Sequence, residues 1–129
     1  MSRAPAALLL TAALVPAFPA LAHHSFARYE STKTLTLTGT VETFDWSNPH
    51  VMLQVLVQED GDHAATEWKI VTSAPGILQR FGWDRQSLKR GDRVVVIFNP
   101  MIDGSHLGRL HTLTRVADSK VLRTKLSGA

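Results

Sequence analysis

Leu35-Thr36-Leu37-Thr38-Gly39-Thr40-Val41-Glu42 is the stretch that decides the fold. Leu35, Leu37, Gly39 and Val41 alternate with Thr36, Thr38, Thr40 and Glu42, which is the two-residue period of a half-buried strand rich in β-branched side chains. A helix would repeat its apolar positions every three or four residues, so this segment sets the chain in the mainly β class. The glycine in mid-strand marks a bulge or a sharp bend, the device by which small barrels turn a corner.

Downstream, Asp45-Trp46-Ser47-Asn48-Pro49 is dense in turn formers and leads into a second strand, His50 to Gln58. There Val51, Leu53, Val55 and Val57 point one way, and His50, Met52, Gln54 and Leu56 the other. Glu59 to His63 is a polar loop, and a third strand runs from Thr66 to Thr72 with Trp68 and Ile70 on one side. The helix follows: Ser73 caps it, Pro75 suits its first turn, Ile77, Leu78 and Phe81 form its apolar face, and Gly82 ends it. Asp84 to Leu88 adds a second helical turn. After the Lys89-Arg90-Gly91-Asp92 turn, Arg93 to Phe98 is so continuously apolar that both of its faces are expected to be covered, and Asn99-Pro100 stops it. Arg109 to Val116 is the last strand, and residues 118–129 read as a flexible tail. Three strands, a helix and two strands in about 100 residues are the order of an OB-like fold, a five-stranded Greek-key barrel with its helix between strands 3 and 4. Residues 35–117 form this domain; the competing architecture is an open β-sandwich with one peripheral helix.

Upstream, residues 23–34 form an irregular arm that Phe26 and Tyr29 can pin to the barrel. Residues 1–22 carry one charge, Arg3, then the apolar run Ala6 to Val15, the Pro16 and Pro19 break, and small residues at Ala20 and Ala22. This is the layout of a signal peptide cleaved after Ala22. The run is too short for a membrane-spanning helix, which needs about 20 apolar residues. With no cysteine in the chain, neither a lipid anchor on a cysteine nor a disulfide is available. The expected location is therefore the periplasm or the exterior, with no transmembrane segment in the mature chain. Cleavage removes one of 14 basic and none of 11 acidic residues. Acidic and basic residues are interleaved, as in Glu67 and Lys69 or Asp92 and Arg93, which argues against a nucleic-acid partner.

A set of motifs runs through nearly the whole mature chain: Ala22-His23-His24-Ser25-Phe26, Gly39-Thr40-Val41, Trp46-Ser47-Asn48-Pro49-His50, Gly82-Trp83, Leu88-Lys89-Arg90-Gly91-Asp92 and Pro100-Met101-Ile102-Asp103-Gly104. In these the sequence resembles a domain-of-unknown-function family of small exported bacterial proteins. The resemblance implies an exported single domain and no particular reaction.

The chemistry of the chain gathers in its histidines. Cleavage after Ala22 frees an α-amine on His23, whose imidazole Nδ1 then chelates together with that amine, and His24 adds a third donor. An α-amine with a pKa of about 7.7–8.0 and an imidazole near 6.5 deprotonate close to neutral pH. Such nitrogen donors favour Cu(II) over Ni(II) and Zn(II). His50, held by the Asn48-Pro49 turn, is the first choice for a further ligand; His111 and His106 follow, and Met52 would suit Cu(I). Set against this, a His-His pair at a terminus can be merely a solvated end, His50 can simply bond a backbone carbonyl, and His63 lies in an acidic surface loop. No Gly-x-Ser-x-Gly elbow, His-Glu-x-x-His helix or phosphate-cradling glycine loop occurs, and no catalytic residue is assigned. The expectation is an exported barrel that binds or delivers copper through His23, His24, His50 and His111. The alternatives are a metal-free module that docks a periplasmic or membrane protein partner or a small polar ligand on a face with Trp46, Trp83, Arg80 and Arg85, and an oxidative copper enzyme with Tyr29 near its axis.

Overall fold

The threonine and leucine alternation builds strand β1, Leu35–Asp45, in a computed structural model that describes residues 28–58 and 64–124. β1 serves two neighbours in turn. Its first half pairs antiparallel with β4 (Arg93–Pro100), Leu35 opposite Phe98, and its second half with β2 (Met52–Val57), Asp45 opposite Met52. The register slips between Val41 and Thr43, so Glu42 is the extra residue of a bulge that bends the strand from one partner to the other. Gly39 is not that bulge. A Cβ there would stand 2.5 Å from the Leu56 carbonyl oxygen and 2.6 Å from Val55 Cγ1, so the glycine is required by close approach of the neighbouring strand.

β2 pairs with β3 (Thr66–Val71), and β5 (Leu107–Arg115) with β4. A short parallel contact between β3 and β5, Lys69–Val71 against Leu107–Arg109, closes the five strands into a barrel. The expected OB-like topology, with one helix between strands 3 and 4, is the one observed. Val41, Leu53, Val55, Ile70, Val94, Val96, Phe98, Leu110 and Leu113 fill the interior. β4 departs from expectation in two ways. Val94, Val96 and Phe98 point inward while Ile97 remains 36% exposed, so only one face is covered: β-branched residues on the outer face masked the alternation. The strand also continues through Asn99 and Pro100, because Pro100 sits where its carbonyl, not an N–H, is needed, accepting from the Glu30 N–H at 2.9 Å.

The helix is α1, Pro75–Gln79, and its N-cap is Ala74, with no side-chain cap. Proline at the first helical position holds Ala74 extended (ψ 152°), which moves the cap one residue past Ser73. The Ser73 carbonyl instead accepts from the Val51 N–H at 3.0 Å. Leu78, Trp83 and Leu88 close this end of the barrel. Asp84–Leu88 forms no second helix; the Asp84 carboxylate accepts from the Gln86 N–H at 2.7 Å, an Asx turn that competes with helix.

The described part of the expected tail contains a sixth strand, β6 (Lys120–Arg123), antiparallel to β5. Leu122 is 2% exposed, and the Trp83 indole N–H donates to the Arg123 carbonyl at 2.8 Å. Ordered structure therefore extends to Thr124, past the boundary set at residue 117. In the turn between β5 and β6, Arg115 grips Asp118 through two hydrogen bonds, at 2.9 and 2.5 Å, and holds its carboxyl far below the usual range, at about 2. A carboxyl depressed on folding contributes stability above its unfolded value of about 3.9, and this is lost as pH falls through the folded value. Asp118 in the native protein is expected to titrate near pH 2 and in Arg115→Ala at a higher pH, read by carboxyl carbon chemical shifts; equal midpoints would refute the pairing.

Candidate metal and ligand site

The segment before β1 is fixed by main-chain bonds to the end of β4. Ile102 N–H donates to the Arg28 carbonyl at 3.0 Å, Tyr29 bridges Met101, and Glu30 N–H donates to Pro100 as described. Tyr29 thus does pin the arm, and burial pushes its phenol pKa up against the opposing charges of Arg28 and Arg109. Phe26 lies outside the described residues.

The arm's last hold is a side chain. Asn99 is only 5% exposed, and a buried amide is costly unless its donors and acceptors are satisfied. Its Nδ2 donates to the Lys33 carbonyl at 2.7 Å, and its Oδ1 meets His111 Nε2. His111 stands there because of a second irregularity: Ile97 pairs with Thr112 and Phe98 with Leu110, so His111 is the extra residue of a bulge in β5. A bulge re-aims its side chain, and this one turns the imidazole to the arm. Ser31, Asn99, Arg109, His111 and Thr124 line a depression of about 140 Å³ between arm and barrel. The Thr124 hydroxyl donates to the Leu110 and His111 carbonyls at 3.0 and 3.2 Å, holding the end of β6 against the bulge.

On the other flank of the arm, a groove of about 280 Å³ is lined by Glu30, Lys33, Leu35, Trp68, Met101 and Ile102, among others. Trp68 lies between Phe98 and His106, with ring centroids 5.2 and 4.8 Å apart. His106 is exposed, and its carbonyl accepts from the Lys69 N–H at 2.9 Å.

Among the sequence-predicted ligands, His23 and His24 lie outside the described residues, as does His63. His50 follows the cis Asn48-Pro49 bond at the far end of β1 from the arm. His111 lines the depression beside the arm together with Ser31. Met52 pairs with Val71 on β3. Among the described residues, no group of three or more His, Cys, Asp or Glu side chains is arranged to hold a metal ion. The expected docking face is also changed: Trp46 and Trp83, 8% and 2% exposed, belong to the core, and only Arg80 and Arg85 of that set are on the surface. Sequence reasoning missed Asn99, which reads there only as a turn residue before a proline.

Among the described residues no helix is long and apolar enough to cross a membrane. No curated protein sequence matches the chain. Among solved structures, the fold is similar to the mitochondrial single-stranded DNA binding protein Rim1 of S. cerevisiae, with a TM-score of 0.50 and 10% identity over 72% of this chain and 96% of that one. At that identity the likeness supports the barrel fold alone. Over residues 12–110 the sequence fits a family of unknown function, DUF6152, and the chain belongs to that family.

Proposed function

We propose that this protein is an exported binding or delivery protein for a transition metal ion, Cu(II) foremost, held by the α-amine and imidazole of His23 and the imidazole of His24, with His111 as the donor from the barrel. The observation that carries the reading is the placement of His111. His111 lines the depression beside the arm that leads back to His23, together with Ser31. Five residue steps lead from Arg28 back to His23, a span of at most about 17 Å when fully extended. His111 is bulged and half-buried beside Ser31, and its Nε2 already meets Asn99, as the second nitrogen of a ligating histidine commonly meets a partner. His106, on the other side of the arm, is the next donor. The nitrogen-rich set fits Cu(II), the strongest divalent binder of the first transition series.

The test is a Cu(II) titration of protein processed by export against protein with one extra residue ahead of His23. Acylating the amine removes one of the chelating nitrogens, so the extended form is expected to bind at least tenfold more weakly. His111→Gln is expected to weaken binding by a similar factor. Equal affinity of the processed and extended forms would eliminate the terminal chelate.

A further inference from the structure

The depression between arm and barrel carries positive charge and no negative charge. Ser31, Asn99, Arg109, Leu110, His111 and Thr124 line it, and no carboxylate is among them. The one acid of the arm, Glu30, lines the groove on the other flank and accepts from the Thr32 hydroxyl at 3.1 Å. Arg28 and Arg109 both oppose the rise that burial gives the Tyr29 phenol, so two guanidinium charges act where the arm meets the barrel. The volume, about 140 Å³, is that of roughly five waters at about 30 Å³ each. That suits a carboxylate or a phosphate group and is too little to enclose a nucleotide or a peptide.

We infer that this depression binds a small oxyanion, a carboxylate or phosphate group, held by the Arg109 guanidinium with the Ser31 hydroxyl and the Asn99 amide as neutral donors. The inference is independent of the metal reading above: no metal takes part, and an anion on Arg109 offsets a charge that would otherwise repel a cation nearby. Each donor has the capacity for it. A guanidinium presents five N–H donors in a planar fork, so Arg109 can keep a protein neighbour and still offer a pair to an oxyanion. Asn99 gives one amide N–H to the Lys33 carbonyl at 2.7 Å and has a second. Buried and tied to His111 on its oxygen side, that amide is already ordered before a ligand arrives, which lowers the cost of binding. Thr124 spends its proton on the Leu110 and His111 carbonyls and serves as a wall. Ser31 is set by main-chain bonds on either side of it, Glu30 N–H to the Pro100 carbonyl and Lys33 N–H to the Glu30 carbonyl at 3.3 Å. Since Ser31 belongs to the arm and Arg109 to β5, an oxyanion between them ties the arm to the barrel.

The test is a titration of metal-free exported protein with sodium acetate and, separately, sodium phosphate. Ionic strength is held constant with sodium chloride, and proton–nitrogen correlation spectra are the readout. Saturable shifts are expected at the Ser31 amide, the Arg109 side-chain Nε–H and the Asn99 side-chain NH₂, all with one dissociation constant. Arg109→Gln is expected to weaken binding at least about tenfold and Ser31→Ala about two- to tenfold, the usual worth of a charged and of a neutral hydrogen bond. Both residues are exposed, so neither variant threatens the fold. Arg85→Gln, which removes an exposed arginine outside the depression, is expected to leave binding unchanged. Saturation by either oxyanion at these positions supports the site, and the tighter of the two names its class. Shifts that rise linearly with both salts would overturn the inference, as would an unchanged constant in Arg109→Gln or an equal loss in Arg85→Gln. With no copper present, none of these results bears on the function proposed above.

Discussion

Trp83→Ala is expected to destabilise the protein by about 3–5 kcal/mol, the range for removing a large aromatic from a core. The side chain is 2% exposed and its ring lies 6.4 Å from that of Phe44, at the end of the barrel closed by α1. Its loss removes packing and also leaves the Arg123 carbonyl without the indole N–H, which is the side-chain tie between β6 and the α1 region. For a domain of this size a total stability of about 5–15 kcal/mol is usual, so the change takes a large share of it. Urea unfolding followed by circular dichroism measures the effect. Trp83→Phe retains most of the packing and discards the hydrogen bond, and should cost about 1–3 kcal/mol, the range for an orphaned buried polar group. A loss below about 1 kcal/mol in the alanine variant would show that the indole does not secure this end.

Gly108→Ala is the second large effect, and here one added methyl group destabilises. A Cβ at Gly108 would lie 2.1 Å from Phe98 Cδ2 and 2.7 Å from Cε2, and Phe98 is fully buried. The ring is confined by Trp68 on one side and the core on the other, so it cannot swing away without disturbing both. Overpacking typically costs about 1–3 kcal/mol and occasionally more. Because Gly108 pairs with Ile70 where β3 meets β5, the disturbance falls on the contact that closes the barrel. The expected outcome is a loss of about 3 kcal/mol or more in urea, with partial recovery in Gly108→Ala/Phe98→Leu, which makes room for the methyl group. Additive losses in the double variant would show that the clash with the ring is not the cause.

The barrel was legible because the alternation from Leu35 and the order of elements are local signals, written in side chains a few residues apart. Other features are set by partners distant in sequence. β6 has four residues and one fully buried side chain, too few to show a period, and it exists because β5 and Trp83 receive it. The apolar run of β4 conceals which face is inward, since valine and isoleucine suit either side of a sheet. Trp46 and Trp83 resemble rim aromatics in sequence, yet small barrels have few large residues with which to fill their ends, and these are used for that. For the candidate site, the histidines themselves were visible. What places His111 beside the arm was not, because it depends on the bulge opposite Phe98 and on Asn99, whose carboxamide meets groups 66 residues upstream and 12 downstream.

The closure of the barrel has a kinetic consequence. Each other strand pairing of the five-stranded ring spans five or more residue pairs, but the β3–β5 contact spans three and joins segments nearly forty positions apart. The entropy of bringing such distant segments together must be met before the pairing yields anything in return. β1 and β4 lie further apart in the chain, but six residue pairs offset the cost of joining them, so β3 and β5, with three, are expected to meet late and to open first in the native barrel, which faster amide hydrogen exchange along that seam would check.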